Sequence, residues 1–543
     1  MHFIYFFSFF TYFYFLGRGL LLIISKFFNF YKFNDQEKII ETPIIIFYPL
    51  IGVIFFSNYF FIANFFVGLK HPLLFFLISF TLIFNFLEVP KFKQNSKLNL
   101  ITLFNLFIIS ISSYDINFQY DAGYYHLNYQ NWIREEKLVF GLNNLHGAYG
   151  TSSIMDYTAA PFWLVSNFIL LHYLSIIFLV IFLNFCLYHI IFSQNKFLNI
   201  SSSFVLVFAF LDNFGFNGGR NGFFAIPGII KPDIASGVMF YLSSILISYL
   251  IFQKSYINKN LVFINFLILY SFQLKISNSL LFIFFTYIFI LSDKSSIKSL
   301  LAVNSLTIIW LIKNLLLTSC LVFPINFTCF NLPWYNYESV DGMKYTTGFF
   351  NNAYNIGAPF GDWINNWLSI ELNKTVVYNF LVCFLILFLI KRLFFIKKSY
   401  NSNKEIYLIL LFILSNLLVW IIGAPHPRFI FGLLSFSVGI LCFDYKNIEL
   451  RFQNKQVSKF IFTGISILAI LLIPRINSYK TMLSDPFQTP EITAPLVEYL
   501  DYKNTWLLPK NGDQCWIEIK CIPYGVNVVK KTYSNYDAYI IGQ

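Results

Sequence analysis

The residues best equipped for chemistry fall in one polar segment, 113–157. It carries Tyr114-Asp115, then Tyr120-Asp121-Ala122-Gly123-Tyr124-Tyr125-His126, then Trp132, Arg134, Glu135, Glu136, His146 and Asp156. The spacing from Asp121 to His126 puts a carboxylate near the start of a helix over about 123–137 and the imidazole in its following turns. A carboxylate there can take a proton from an attacking hydroxyl, and it can equally cap the helix by accepting a backbone N–H. Cations supply the complement. Lys231 begins one apolar run, Lys275 falls between two, Lys313 lies inside another and precedes Asn314, Arg428 starts a further one, and Arg220 lies in the Gly-rich segment 215–222. A lysine near a helix end can snorkel to the interface, but a cation within an apolar run, as at Lys313, is costly enough to mark function. An acid above a set of membrane-level cations suits group transfer from a lipid-linked phosphate to a hydroxyl. The cations hold the phosphate and stabilise its charge as it leaves, and the acid accepts the hydroxyl proton.

Such residues need elements to hold them. The chain has 543 residues, 57% of them hydrophobic and only 12% charged, which excludes a disordered chain, a fibrous repeat and an ordinary soluble enzyme. Apolar runs lie at 4–25, 43–67, 71–88, 98–114, 160–192, 201–213, 233–252, 260–274, 277–292, 299–318, 375–395, 406–422, 427–443 and 459–474. They predict an all-α polytopic membrane protein of roughly fourteen transmembrane helices. The first run lacks a basic start and a small-residue cleavage site, so it is expected to be a retained helix. Lys and Arg crowd alternate loops: Lys26, Lys32 and Lys38; Lys91, Lys93 and Lys97; Lys196; Lys254 and Lys259; Lys294 and Lys298; Lys391 to Lys404; and Lys446 to Lys459. The positive-inside rule makes these loops cytoplasmic, and the net charge of +12 becomes mostly topology rather than nucleic-acid binding. The outer loops 115–159, 213–232 and 319–374 then share the extracytoplasmic side with residues 475–543. A multi-spanning domain over 1–474 is therefore followed by a small α/β or β-rich appendage, with strands expected within 501–508 and 538–541. The 71 Phe residues are expected mainly to face lipid.

Seven cysteines are present. Cys186, Cys383 and Cys442 lie in apolar runs as small buried groups. Cys320 with Cys329, and Cys515 with Cys521, form two close pairs on the outer side. An oxidising compartment and the lack of nearby His at zinc spacing favour two disulfides. Gly215, Gly218, Gly219 and Gly222 do not match a phosphate-binding loop. His426 and Arg428 share a Pro-rich outer turn, where they can reach a phosphate or cap the loop. Asp233 suits the first turn of a helix, and Asp362, Trp363 and Trp367 suit an interfacial helix.

With an acidic motif, Tyr120-Asp121-Ala122-Gly123-Tyr124, in its first large outer loop, the multi-spanning chain resembles the GT-C class of glycosyltransferases. The resemblance implies a polyprenyl-phosphate-linked sugar donor and an envelope glycan, lipid or protein acceptor. It makes Asp121 the catalytic base or metal contact, Asp115 a second acid, and admits a divalent metal ion as cofactor. His126 is a further catalytic candidate, and Lys313, Arg428, Lys275, Arg220 and Lys231 are the phosphate-binding candidates. Asp121 departs from the class in following about the fourth crossing rather than the first, and no clean acidic pair accompanies it. Lys313-Asn314, Ser319-Cys320, Phe323-Pro324, Thr328-Cys329, Trp334 and the segment 512–521 are similar to a pattern in uncharacterised bacterial multi-spanning proteins, which implies a bacterial cytoplasmic-membrane setting. Two alternatives stay open: a transporter or flippase for envelope lipids or polysaccharide, and an O-antigen polymerase or ligase.

Overall fold

The computed structural model describes residues 1–27, 35–88, 96–165, 167–213, 232–254, 256–292, 297–347, 359–396, 403–442, 449–450 and 476–542. Helix dominates them. Among the described residues six helices are long and apolar enough to cross a membrane: His2–Phe27, Ser96–Tyr114, Ile169–Ile191, Asp233–Gln253, Glu371–Arg392 and Lys404–Gly423. The apolar run 459–474 lies outside the described residues.

Composition explains where each helix sits. Ile169–Ile191 and Asp233–Gln253 are apolar all round and almost wholly buried, as helices at the centre of a bundle must be. Glu371–Phe394 and Asn403–Gly423 expose Leu381, Leu385, Leu389, Leu410, Leu414 and Leu418. Apolar faces of that extent need an apolar surrounding such as lipid. The first helix crosses Tyr48–Ala63 at glycines on both partners: a Cβ on Gly17 would lie 2.0 Å from the Tyr48 carbonyl oxygen, and one on Gly52 2.1 Å from that of Phe13. Two backbones meet where neither can carry a side chain.

Several expectations change. The run 427–443 yields only a nine-residue α-helix, Phe431–Gly439, with 3₁₀ turns on either side, too short to cross alone. Many Phe residues face inward: Phe56 stacks on Phe162 at 4.9 Å, with Phe9 and Phe13 against the same ring. Arg18, inside the first apolar run, is fully buried and gives both Nε and Nη2 to Asp35, at 2.9 and 2.8 Å. Trp132 is buried and packs on Tyr539 at 5.8 Å. Trp363 and Trp367, on helix Phe360–Ser369, are likewise buried, and Trp367 meets Trp420 edge-on.

Residues 476–542 form a helix, Ile476–Ser484, and two antiparallel hairpins, Tyr499–Tyr502 with Trp506–Pro509 and Val528–Tyr533 with Tyr536–Ile541. Their core is continuous with the helical domain. Trp506, Trp516, Ile522 and Tyr539 belong to the same hydrophobic cluster as the bundle helices. Phe140 makes two backbone bonds across the junction, its N–H donating to the Asp537 carbonyl and its carbonyl accepting the Tyr539 N–H.

Candidate functional site

Helix ends converge on one side of the bundle. Asp233 starts helix Asp233–Gln253, and Lys275 follows the adjacent Asn258–Leu274. Arg428 lies in the turn after Asn403–Gly423, and Asp121 in the loop after Ser96–Ser110. At the other end of the same helices Lys254 pairs with Glu405 at 3.7 Å, so these two residues lie opposite the cluster.

Asp121 occupies the entry to an unusual helix. Residues Ala122–His126 form a π-helical turn that continues as α-helix Leu127–Glu135. Such turns occur frequently at functional sites, because one extra residue per turn re-aims the side chains around it. Asp121 makes no side-chain cap, which corrects the capping alternative. Its Oδ2 lies 3.5 Å from Arg428 Nη1.

Arg428 is held by its turn and shared by two acids. His426 caps the turn, its Nδ1 accepting the Arg428 N–H at 3.3 Å. Trp367 donates its indole N–H to the Pro425 carbonyl at 2.7 Å, and Trp420 donates to the His426 carbonyl at 3.0 Å. The guanidinium then reaches Asp233, Nε to Oδ2 3.6 Å, while Lys275 Nζ sits 2.5 Å from Asp233 Oδ1 and 3.2 Å from the centre of the Phe429 ring. Two carboxylates and two cations thus compensate one another in a partly buried cluster. Asp233, expected as a helix-start acid, is its bridge. A planar guanidinium between two carboxylates can exchange one of them for a phosphate, which presents the same paired oxygens.

A second polar group adjoins it. His126 Nδ1 is 3.5 Å from Asp156 Oδ1, which also accepts from Gln130 Nε2 at 3.0 Å. Asp156 Oδ2 completes a capping box with Ser153. Lys313 is fully buried, donates to Ser152 Oγ at 3.0 Å and lies 3.8 Å from the Trp310 ring centre. No direct bond ties it to Asp121 or Arg428 among the described residues. Tyr125 feels the charges of Asp121, Arg428, Asp233 and Asp156, so it stands between the two groups, and burial pushes its hydroxyl pKa up. Burial first, and then the charges of Tyr524, Asp513 and Asp121, push Tyr124 up to about 12. Asp115 is exposed and makes no ion pair among the described residues. Arg220 and Lys231 lie outside the described residues.

Both expected disulfides form, Cys320 with Cys329 and Cys515 with Cys521. Cys186 and Cys383 are buried and form no disulfide. Sequence reasoning left out Ser152 and Phe429 as site residues and named Asp156 only as a member of the polar segment. The signal available for Asp233 was an acid beside a cation at a helix start on the same side as Asp121. Among the described residues no three His, Cys, Asp or Glu side chains gather as they do around a metal ion.

No curated protein and no solved structure matches the chain. One family model does, that of a domain of unknown function (DUF8201), over residues 1–435, which include Asp121, Asp233, Lys275, Lys313 and Arg428. With most of its length matched, the chain belongs to the DUF8201 family.

Proposed function

We propose that this protein is an integral membrane glycosyltransferase with a GT-C-like core of about fourteen helices, acting on the extracytoplasmic face of a bacterial cytoplasmic membrane. It transfers a sugar from a polyprenyl-phosphate donor to an envelope glycan, lipid or protein. The observation that carries this reading is the meeting of Asp121 with Arg428, Asp233 and Lys275 at converging helix ends. The acceptor hydroxyl oxygen attacks the anomeric carbon, and the bond from that carbon to the phosphate oxygen breaks. The hydroxyl proton passes to the Asp121 carboxylate, and the phosphate leaves against Arg428 and Lys275. Asp233 keeps both cations in place before the phosphate arrives. Lys313 is left out of this step because its amine is directed to Ser152.

The test uses the full chain reconstituted in lipid nanodiscs, with a radiolabelled polyprenyl-phosphate sugar and mixed envelope acceptors. Asp121→Asn is expected to lower kcat by about 10²- to 10⁴-fold with little change in donor KM. Arg428→Ala is expected to raise donor KM. A folded Asp121→Asn protein that transfers at the wild-type rate overturns the assignment.

A further inference from the structure

We infer that the loop closed by Cys515 and Cys521 is a positioning element for Asp121, with Gly123 and Trp516 as the positioning residues. For its catalytic consequence this rests on the glycosyltransferase reading; for its structural consequence it does not. The contacts are concentrated on the π-helical turn and the helix it feeds. The Trp516 N–H donates to the Gly123 carbonyl at 2.9 Å, and Gln514 Nε2 donates to the Tyr120 carbonyl at 3.3 Å. The Tyr120 hydroxyl donates to Asp513, and Asn128 donates to the Glu518 carbonyl. Asn131 donates to the Ile517 carbonyl at 2.6 Å. Residues on both sides of Asp121 are therefore held by one short cross-linked loop.

Sterics make the fit specific. A Cβ on Gly123 would lie 2.6 Å from Trp516 Cε2 and 2.7 Å from Gln514 Oε1, so only glycine lets the Trp516 ring rest on the turn. Trp516 itself has φ +49°, a left-handed conformation that a bulky residue keeps only where its surroundings impose it. Here the cross-link on one side and the bond to Gly123 on the other impose it. The extra residue of a π turn is easily lost to an ordinary α turn, and that change would rotate Asp121 away from Arg428. A small displacement of a catalytic group is enough to cost a large factor in rate.

The experiment uses the full chain in nanodiscs and two kinds of variant, Cys515→Ser with Cys521→Ser, and Gly123→Ala alone or combined with Trp516→Leu. Amide exchange in 122–131 is expected to rise at least tenfold in the cysteine variant and in Gly123→Ala, while helix 233–253 stays as in wild type. Transfer should lose kcat about tenfold or more with donor KM held, and adding Trp516→Leu, which replaces the indole with a smaller side chain, should recover most of the loss caused by Gly123→Ala. Unchanged exchange in 122–131 in both variants overturns the inference. So does raised exchange that Trp516→Leu fails to reduce in the Gly123→Ala background. If the wild type shows no transfer at all, the functional reading falls and the exchange data still decide this one.

Discussion

Individual residues divide into those that meet a charge and those that meet only rings and hydroxyls. Asp121, Arg428, Asp233 and Lys275 belong to the first kind, and His146 to the second. His146 is buried between Tyr124 and Tyr149, with Nδ1 3.2 Å from the Tyr524 hydroxyl. Burial pushes its pKa down from 6.5 to about 4, against a smaller upward pull from Asp513. The sign follows from proton counting. Between about pH 6.5 and 4 the unfolded chain binds a proton that the folded chain refuses, so stability falls as pH drops through that window. The fall totals on the order of 3 kcal/mol and ends below about pH 4. His146→Gln is expected to remove that part of the pH dependence. The check is the difference in unfolding midpoint between wild type and variant from pH 7 to 4.5; parallel curves refute it. At this scale the sequence identified Asp121, Arg428 and Lys275 by type and by position at the ends of apolar runs. It placed Asp233 in the first turn of a helix, where the structure has it, but not its bridging of Arg428 and Lys275, because those two cations come from two other parts of the chain.

Elements decide how accurately those residues are presented. The Pro425–Phe429 turn carries Arg428; the His426 cap and the Phe429 N–H bond to the His426 carbonyl hold it from within, and indoles on two helices hold it from outside. Trp367→Phe keeps the ring packing against Trp420 and deletes the donor to the Pro425 carbonyl. The expected cost is about 1 kcal/mol of stability, with a severalfold rise in donor KM and little change in kcat. A variant whose KM stays at the wild-type value shows that the indole N–H has no part in holding Arg428. The helix carrying Trp367 was legible as amphipathic, but its aromatic face was expected at the headgroups. Periodicity tells that a face is apolar and is silent on whether lipid or another helix covers it. The π turn at 122–126 was not legible for a related reason: its geometry depends on contacts with residues 513–518, remote in sequence.

For the molecule as a whole, the charge pattern and the disulfides imply two chemically different sides. Lys254 lies at the opposite helix end from the acid–cation cluster, and the loop closed by Cys515 and Cys521 lies against the turn that carries Asp121. An impermeant maleimide applied to intact spheroplasts is expected to label Leu496→Cys, a fully exposed site, and to label Lys254→Cys only after permeabilisation. The reverse pattern, or equal labelling of both, removes the orientation on which the function rests. The sequence by itself determined the helical class with apolar helices long enough to cross a membrane, the two cysteine pairs and the types of the reactive residues, since hydropathy, loop charge and cysteine spacing are properties of neighbours along the chain. Tertiary structure alone decided that Asp121 meets Arg428, that Asp233 joins Arg428 to Lys275, that Lys313 turns to Ser152, and that the last residues pack against the site. Ion-pair partners are selected by which helix ends packing brings together, and that selection comes from burying apolar faces across the whole chain, where no local pattern records it.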